Sequence, residues 1–390
     1  MPAGNLLITH YAVRPLAFSG PPKLNPPFLP AAHITMSNIN ILEVLEESKS
    51  EIEPKLEEYI PRAFSDANIE AICGKARFAY DIETATKALS EPIWEFLDRG
   101  GKRWRPALLL LVAEALGAQK DDVIDFVAIC ELVHNGTLVI DDIEDQSELR
   151  RGKPCLHLVY DLDVSINAGN ALYFLPLLAL KQRKDDYSPA AIIKAYELYS
   201  QEMINLHFGQ GFDIWWHSGN KEPNIDEYLQ MCAYKTGTLA RLSCKLSALL
   251  AGASDSQIEA IGRFAESVGV GFQIQDDILN LDSEEFAEGK GFGEDIHEGK
   301  RTLIVIHCLE SAAPEHAARL REILSLHTND QALIREAVEI IHKTESIEFA
   351  RQRAREIVSE AWDEMESELP ESEAKNKLKA FADFLIERNV

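Results

Sequence analysis

The chain has 390 residues, of which 39 are Lys or Arg and 64 are Asp or Glu, and its formal net charge is −25. Hydrophobic residues make up 46% and charged residues 26%, a globular composition with enough apolar mass for a large core. The acidity argues against a nucleic-acid partner, because neutralising phosphates requires a basic surface. It equally disfavours binding to anionic lipid, and it makes an anionic substrate unexpected.

The first 42 residues differ in composition from the rest of the chain. They contain seven of the 17 prolines, and no acidic residue precedes Glu43. Because such a stretch cannot sustain a helix or build a core, we predict a flexible extension over residues 1–42. An upstream start codon, with Met36 as the alternative start, explains it better than an organellar transit peptide, which would be richer in Arg and Ser. We therefore expect a cytoplasmic protein.

From residue 43 to residue 390 nearly every segment has helical spacing, and we predict one large all-α domain. The run 164–180 carries no formal charge, but its length of 17 residues, its two asparagines and Pro176 predict a buried helix and no stable membrane insertion. The predicted helical stretches in chain order are 106–116, 124–145, 164–180, 190–208, 225–250, 256–279, 300–309 and two or three amphipathic helices within 331–390.

Six cysteines are widely spaced along this domain. None forms a C-x-x-C pair with another. This usage predicts reduced, mostly buried thiols, and neither a zinc site nor a disulfide framework.

An acidic motif, Asp141-Asp142-Ile-Glu144-Asp145, ends the apolar stretch 124–145. On a helix Asp141 and Asp145 are four residues apart, so both carboxylates project from one face and can share hard divalent cations. In a chain with 64 acidic residues the pattern alone is weak. Its apolar flank is informative, because several like charges at the end of a buried helix are costly unless a cation neutralises them.

A second acidic motif, 273–280, lies 135 residues further on and includes Asp276, Asp277 and Asn280. Two such helices facing each other across a bundle would form a wide, oxygen-only cage that suits Mg²⁺ held by protein and by substrate phosphates. Asn280 stands where a third Asp is expected. We therefore predict that this half holds fewer ions.

Basic residues cluster around the acidic motifs in a chain that is otherwise short of them. Residues 100–106, Gly-Gly-Lys-Arg-Trp-Arg-Pro, place three cations in a glycine-hinged loop at a helix start, where backbone N–H groups favour an anion. Arginine matches phosphate oxygens bidentately, and lysine acts as a point charge. The further members of this set are Arg150, Arg151, Lys235, Lys290 and Lys300.

These motifs together resemble the trans-isoprenyl diphosphate synthase family. The motifs are GGKRWRP, His134, DDIED with RRG, GQGFD, KTG, GFQIQDD and EGK, in order over residues 85–310. The family consists of all-α polyprenyl synthetases that join isopentenyl diphosphate to an allylic diphosphate. The segments DDIEDQSELRRG and GEDIHEGK are most similar to the geranylgeranyl diphosphate synthases of the archaeal and animal–fungal type.

The resemblance implies a role for each matching residue and a homodimeric assembly. Asp141 and Asp145 would hold two Mg²⁺ and Asp276 a third, and catalysis would depend on these three with Lys235 and Arg150. The animal–fungal type also has Asn at the position of Asn280. The residues implied to bind the allylic diphosphate are Arg150, Lys235, Thr236, Gln273, Lys290 and Lys300, and those implied to bind isopentenyl diphosphate are Lys102, Arg105, His134 and Arg151.

Product length is predicted from residues near the first acidic motif. Gly136 and Thr137 lie one turn before Asp141, and a glycine inside a helix costs about 1 kcal/mol relative to Ala, which suggests a clearance role. Tyr173, Phe174 and His207 are bulky candidates for a floor that stops the growing chain. The prediction is a C20 product, with a farnesyl or longer-chain synthase as the alternative.

Three other classes of protein share parts of the pattern. A class I terpene cyclase would share the acidic face, but it would need neither the 100–106 loop nor His134. A regulatory subunit of a prenyl synthase would typically lack one acidic motif. A ferritin-like metal protein would use the Glu-x-x-His pairs Glu131/His134 and Glu294/His297, but it would leave the basic motifs unexplained.

Overall fold

The structure, a computed structural model, describes residues 39–282 and 293–387. Within these ranges the chain is helical almost throughout, which confirms the predicted all-α class. The helices are α1 (Ile41–Tyr59), α2 (Asp66–Cys73), α3 (Ile82–Ala85), α4 (Glu91–Leu97), α5 (Trp104–Ala115), α6 (Lys120–Val123), α7 (Val127–Glu144), α8 (Leu156–Val159), α9 (Leu162–Phe174), α10 (Leu178–Gln182), α11 (Pro189–His217), α12 (Ile225–Cys232), α13 (Thr238–Leu250), α14 (Asp255–Asp282), α15 (Glu294–His297), α16 (Leu303–Ser311), α17 (Pro314–Ser325), α18 (Gln331–His342), α19 (Ser346–Met365) and α20 (Glu373–Glu387).

Local sequence signals account for the ends of several helices. Ser188 caps α11 through a hydrogen bond from the backbone N–H of Ala191, and Pro189 occupies the first helical position. Asn224 and Glu227 form a capping box at the start of α12. Asn40 caps α1, which begins inside the last two residues of the predicted extension, and residues 1–38 lie outside the described part of the chain.

Two predicted helices are interrupted in ways that the spacing did not reveal. The stretch 164–180 consists of α9, a 3-10 turn at Leu175–Leu177 and α10, because Pro176 cannot donate a helical hydrogen bond. The stretch 225–250 consists of α12 and α13 joined by a π-helix at Ala233–Gly237. The stretch 300–309 becomes helical only at Leu303, whereas 190–208 extends to His217 as part of α11.

The structure contains a short antiparallel hairpin that was not predicted from the sequence. Strands β1 (Leu149–Arg150) and β2 (Lys153–Pro154) pair, and the two residues between them have positive φ angles, 56° at Arg151 and 72° at Gly152. Two positive φ angles in a two-residue loop are typical of the tight turns that join antiparallel strands. The hairpin directs Arg150 and Arg151 to different neighbours.

The hydrophobic core forms around α14, which packs against α13 and α19, and around α7, which packs against α9. One cluster of buried side chains joins α1, α5, α7 and α13, and a second joins α5, α13, α14, α19 and α20. A third fills the space between α14 and helices α16 to α19. Five of the six cysteines are buried in this packing, and Cys73 is exposed.

One described segment, Lys120–Glu144, is long and apolar enough to cross a membrane by length and composition. It comprises α6, a short 3-10 turn and α7, and it is mostly buried inside the protein. It is therefore the central helix of the core.

Candidate active site

Helices α5, α7, α9, α11, α13 and α14 surround a cavity of about 580 Å³. Most residues that the sequence singled out line it, although they come from eight separate segments of the chain. The predicted residues in the lining are Lys102, Arg105, His134, Thr137, Asp141, Arg150, Arg151, Tyr173, His207, Lys235, Thr236, Gln273, Asp276 and Lys300. Lys290 lies outside the described residues.

Asp141, near the end of α7, is surrounded by cations. Its carboxylate oxygens lie 3.2 Å from Nζ of Lys235 and 3.6 Å from a guanidinium nitrogen of Arg150, and Nε2 of Gln210 donates to Oδ1 at 2.9 Å. Burial opposes ionisation, but Lys235, Arg150 and Lys300 outweigh it and lower the pKa of Asp141. Asp141 therefore stays a carboxylate.

Asp145, one turn further along α7, is buried behind this surface. Its Oδ2 lies 3.8 Å from Nζ of Lys300, and its Oδ1 has no hydrogen-bond partner among the described residues. Burial and the charge of Asp141 raise the pKa of Asp145 to about 7. The carboxylates of Asp141 and Asp145 therefore repel each other, and one oxygen of Asp145 lacks a hydrogen bond. Such oxygens are the donors that hard divalent cations prefer.

The second acidic motif faces the cavity from α14. Asp276 lines the cavity, and the neighbouring Asp277 accepts hydrogen bonds from the Tyr228 hydroxyl at 2.6 Å and from Nε2 of Gln273 at 2.9 Å. Burial and the charge of Asp295 raise the pKa of Asp277 to about 7. In the described ranges no three carboxylate, imidazole or thiol groups converge as a complete metal site. Carboxylate oxygens are ligands that hard divalent cations accept together with oxygens of water or phosphate.

Asn280, the residue at the expected third aspartate position, has a local partner. Its side-chain oxygen accepts a hydrogen bond from the backbone N–H of Asp295 at 3.2 Å, and its carbonyl accepts one from Gly293 at 3.1 Å. The amide thus ties the end of α14 to the start of α15. Asn280 also lines the cavity.

Lys235 and Thr236 enter the cavity from the π-helix between α12 and α13. The Lys235 ammonium lies 2.6 Å from Oδ2 of Asp213, and the Thr236 hydroxyl donates to Oε1 of Gln273 at 2.8 Å. No role was predicted for Asp213 or Gln210, although both belong to the GQGFD motif. We call Asp141, Asp213, Lys235, Asp276 and Lys300 the lysine–carboxylate wall.

A second group of cations, the arginine wall, consists of Lys102, Arg103, Arg105, His134 and Arg151. Arg103 is neutralised by buried Glu131 at 2.7 Å, a pair that the sequence analysis did not anticipate. Buried nitrogens of all three arginines, namely Nε of Arg103, Nε of Arg105 and Nη1 of Arg151, have no hydrogen-bond partner among the described residues.

Two arginines of the arginine wall, Arg105 and Arg151, hold their positive charge against the cost of burial. Burial lowers the pKa of Arg105 to about 10, and burial together with neighbouring Arg103 and Arg150 lowers that of Arg151 to about 10. Nη1 of Arg105 donates to Nε2 of His134 at 3.3 Å, and burial and the same arginines hold the His134 pKa well below its usual value. His134 is therefore neutral, and this wall is prepared for a multivalent anion.

An aromatic and aliphatic surface continues from the two walls. Trp104 and Phe272 both line the cavity, with ring centroids 5.1 Å apart. Further along, Tyr173 and His207 meet edge to face at 5.8 Å, where the predicted floor should lie. Thr137 also lines this part.

Two predicted chain-length residues lie elsewhere. Phe174 is 69% exposed and outside the cavity lining, because it is one residue further round α9 than Tyr173. Gly136 faces α9: a Cβ there would lie 2.8 Å from the carbonyl oxygen of Gly169 and from Cβ of Leu172. The clearance at Gly136 therefore serves the packing of α7 against α9, and neither Gly136 nor Phe174 is in the lining of the cavity.

An all-α bundle with one cavity lined by carboxylates, lysines and arginines is compatible with an enzyme that binds phosphorylated substrates. A family model described as polyprenyl synthetase matches residues 86–341. The chain belongs to this family of metal-dependent prenyltransferases that act on isoprenyl diphosphates. The predicted family and enzyme class are thus confirmed.

Curated relatives and solved structures agree with this assignment. The chain is 33% identical over 279 residues to a geranylgeranyl pyrophosphate synthase of Dictyostelium discoideum, covering 72% of this chain and 88% of that one. It is 34% identical over 289 residues to a short chain isoprenyl diphosphate synthase of Methanothermobacter thermautotrophicus, covering 74% and 87%. The crystal structure of a geranylgeranyl pyrophosphate synthetase from Pyrococcus horikoshii matches with a TM-score of 0.77 and 30% identity, covering 89% of this chain and 98% of that one.

The structure also bears on the other classes. In a ferritin-like site Glu131 and His134 would both ligate metal, but Glu131 pairs with Arg103 and His134 accepts from Arg105. Both acidic motifs reach one cavity, which a non-catalytic subunit would not require. The arginine wall has no purpose in a cyclase, which ionises a single diphosphate.

Proposed function

We propose that this protein is a geranylgeranyl diphosphate synthase. It condenses isopentenyl diphosphate with dimethylallyl, geranyl or farnesyl diphosphate and releases diphosphate. The observation that carries this proposal is the division of one cavity into a lysine–carboxylate wall and an arginine wall with unsatisfied buried N–H groups. Two separate anion sites beside one apolar surface are what a two-diphosphate condensation requires. The relatives named above support the C20 product.

The lysine–carboxylate wall would bind the allylic diphosphate together with three Mg²⁺ ions. Asp141 and Asp145 from α7 and Asp276 from α14 would supply their protein ligands, and the unpartnered oxygen of Asp145 fits that use. When bound, the ions supply Lewis acidity that stabilises negative charge on the diphosphate. Lys235, Lys300 and Arg150 add fixed positive charge at the same leaving group.

The arginine wall would hold isopentenyl diphosphate through Lys102, Arg105 and Arg151. Neutral His134 accepts from Arg105 and so fixes the direction of that guanidinium. Held in this way, the double bond of isopentenyl diphosphate approaches the allylic carbon without losing further translational freedom in the reaction step.

The reaction then breaks one bond and forms another. The C1–O bond of the allylic diphosphate breaks with both electrons leaving on the diphosphate, and the terminal alkene carbon of isopentenyl diphosphate bonds to C1. A proton leaves C2 of the former isopentenyl unit and passes to the departing diphosphate. Trp104 and Phe272 provide an aromatic, water-poor surface for the developing positive charge.

Chain growth would stop where Tyr173 and His207 close the cavity. Tyr173 is buried, His207 is exposed, and their rings meet edge to face, so the two side chains would together stand in the way of a chain that passes Thr137. Shorter or longer products, as in a farnesyl or longer-chain synthase, would be seen directly in the assay below.

We also propose that the protein acts as a homodimer through the outer faces of α9 and α11. Large apolar side chains lie exposed at helical spacing along α11, and Phe174 and Ile166 continue the surface on α9. A patch of this extent is typical of a protein interface. The exposed members on α11 are Ile193, Tyr196, Ile204, Phe208 and Trp215.

The test of the function is condensation with product identification. Purified protein is incubated with Mg²⁺, radiolabelled isopentenyl diphosphate and each allylic primer, and the dephosphorylated products are separated by chain length. We expect geranylgeraniol as the main product. Absence of condensation with every primer would refute the proposal, and a C15 or C30 main product would refute the chain-length part alone.

A further inference from the structure

The segment that carries Lys235 and Thr236 is a π-helix, Ala233–Gly237, set between two α-helices. A π-turn inserts an extra residue into the helical repeat, and such turns occur frequently at functional sites. Here both consecutive side chains reach the cavity and find partners on different helices. Their positions depend on where the π-helix backbone lies relative to α11 and α14.

On the α11 side, the backbone of the π-helix lies directly against Gly209. A Cβ atom at Gly209 would lie 2.3 Å from the backbone nitrogen of Lys235 and 2.7 Å from the carbonyl carbon of Tyr234. Real Cβ atoms do not approach other heavy atoms this closely, and backbone atoms cannot move aside as a flexible side chain can. Only glycine allows this approach of the two helices.

On the α14 side, Gly269 plays the equivalent part. A Cβ there would lie 2.6 Å from Cα of Gly237 and 3.3 Å from the carbonyl oxygen of Thr236. The π-helix is therefore held between two glycines on two long helices, with backbone contacting backbone on both sides.

Each of these glycines stands four residues before a side chain that binds the π-helix. Gly209 precedes Asp213, whose Oδ2 accepts from Lys235 at 2.6 Å. Gly269 precedes Gln273, whose Oε1 accepts from Thr236 at 2.8 Å. Residues four apart lie one above the other on a helix, so each helix offers a glycine against the backbone and a polar group to the side chain one turn later.

We propose that Gly209 and Gly269 are positioning residues that set the π-helix so that Lys235 and Thr236 reach the allylic diphosphate. The inference rests on the proposed function, because that function gives these two side chains their substrate. A methyl group at Gly209 forces the two backbones about 1 Å or more apart, and a displacement of that size in a catalytic group can cost about 100-fold in rate.

The experiment compares Gly209→Ala and Gly269→Ala with Gly211→Ala. Gly211 is on the same helix as Gly209 and in the same motif, but nothing lies within 4 Å of a Cβ placed there. It is therefore a matched control for adding a methyl group to α11. For each variant we would measure the free energy of unfolding, the steady-state constants for both substrates, and binding of inorganic diphosphate with Mg²⁺ by calorimetry.

We expect Gly209→Ala to lose about 100-fold in kcat/KM for the allylic substrate. The KM for isopentenyl diphosphate, whose proposed site is the arginine wall, should change less than about threefold, and diphosphate binding should weaken. Gly211→Ala should match the parent in the steady-state constants and in diphosphate binding, and it should unfold no more easily than the parent, because alanine favours a helix more than glycine does. Gly269→Ala, which meets less crowding, should give a smaller loss of the same kind.

A double-mutant cycle separates positioning from general packing. If Gly209 acts through Lys235, adding Gly209→Ala to Lys235→Met should cost less than about threefold, because the group being positioned is already gone. A full additional loss in that background would overturn the proposal. So would equal activity of Gly209→Ala and the parent, or failure of both glycine variants to fold while Gly211→Ala folds.

These outcomes are distinguishable from failure of the proposed function. If the parent protein does not condense the two diphosphates, the function is wrong, but calorimetry still reports whether Gly209→Ala weakens diphosphate binding. If the parent is active and all three alanine variants retain its activity and diphosphate affinity, the function stands and the positioning role is wrong.

Discussion

Arg105 offers a test in which activity and stability should move in opposite directions. It is buried on the arginine wall, and its Nε has no hydrogen-bond partner among the described residues. The fall of its pKa from 12.5 to about 10 corresponds to roughly 3 kcal/mol of unfavourable free energy for holding this charge in the substrate-free protein. The charge is tolerated because an anion is expected there.

Replacing Arg105 by Met keeps most of the volume and removes the charge. The relief of about 3 kcal/mol is partly offset by the lost contact of the guanidinium with the Trp104 ring, 4.3 Å away, and by the lost hydrogen bond to His134, each worth about 1 kcal/mol. We therefore expect the free energy of unfolding to rise by about 1 kcal/mol. A hydrogen bond to a charged group contributes about 1.5–3 kcal/mol, so the KM for isopentenyl diphosphate should rise about 10- to 150-fold.

The assays are urea unfolding and steady-state kinetics with each substrate varied in turn. Arg335→Met, an exposed arginine on α18, is the control and should alter neither property. If Arg105→Met instead lost 2 kcal/mol or more of stability and left the KM for isopentenyl diphosphate unchanged, Arg105 would be a structural residue, and the assignment of the arginine wall would be wrong.

Three further predictions follow from the geometry of the site. Asp141→Ala and Asp276→Ala should each abolish turnover while circular dichroism shows an intact fold, and near-normal activity of either would contradict the metal assignment. The pKa of His134 is lowered in the folded state, so the unfolded chain binds more protons than the folded protein below about pH 6.5. Lowering the pH from 7.5 to 5.5 should therefore reduce the free energy of unfolding of the parent by about 1 kcal/mol more than that of His134→Gln. An equal loss in the two proteins would refute this prediction. Tyr173→Ala should yield products longer than C20. Phe174→Ala should keep the C20 product and weaken the dimer, which light scattering would show. Longer products from Phe174→Ala would mean that Phe174 does belong to the floor of the cavity.

The site could be predicted from sequence wherever its members share a helix or a motif. Asp141 and Asp145 were recognised because four residues bring two carboxylates to one helical face, and Lys235 and Thr236 were recognised within their motif. The apolar spacing also predicted most of the buried helices in their order along the chain, since helical periodicity is a local property, but it did not reveal the interruptions within 164–180 and 225–250. The resemblance to a known family then supplied the relation between distant motifs.

Contacts between helices could not be predicted in the same way. The pairing of Asp213 with Lys235 and of Glu131 with Arg103 depends on how separate helices dock, which no spacing in one segment encodes. Tyr173 and Phe174 are adjacent, and a rotation of about 100° decides which of them faces the cavity. A two-residue strand in the β1–β2 hairpin is likewise too short to show alternation.

The net charge of −25 is consistent with a protein that binds two anions, because the local arrangement matters more than the total. Asp141 lies beside Lys235 and Asp145 beside Lys300, and the three arginines of the arginine wall each have a buried nitrogen without a hydrogen-bond partner among the described residues. The acidity elsewhere on the surface does not repel substrates once they lie between these groups. Bulk charge was therefore uninformative about diphosphates.

The central claim is that one cavity holds two diphosphate sites of different chemistry, and calorimetry tests it most directly. Isopentenyl diphosphate and a non-reactive thio analogue of farnesyl diphosphate would each be titrated into the protein with Mg²⁺ and with EDTA. We predict that isopentenyl diphosphate binds in both conditions and that Arg151→Met abolishes this binding, whereas the allylic analogue binds only with Mg²⁺. Equal metal dependence of the two ligands, or competition between them for one site, would contradict the account.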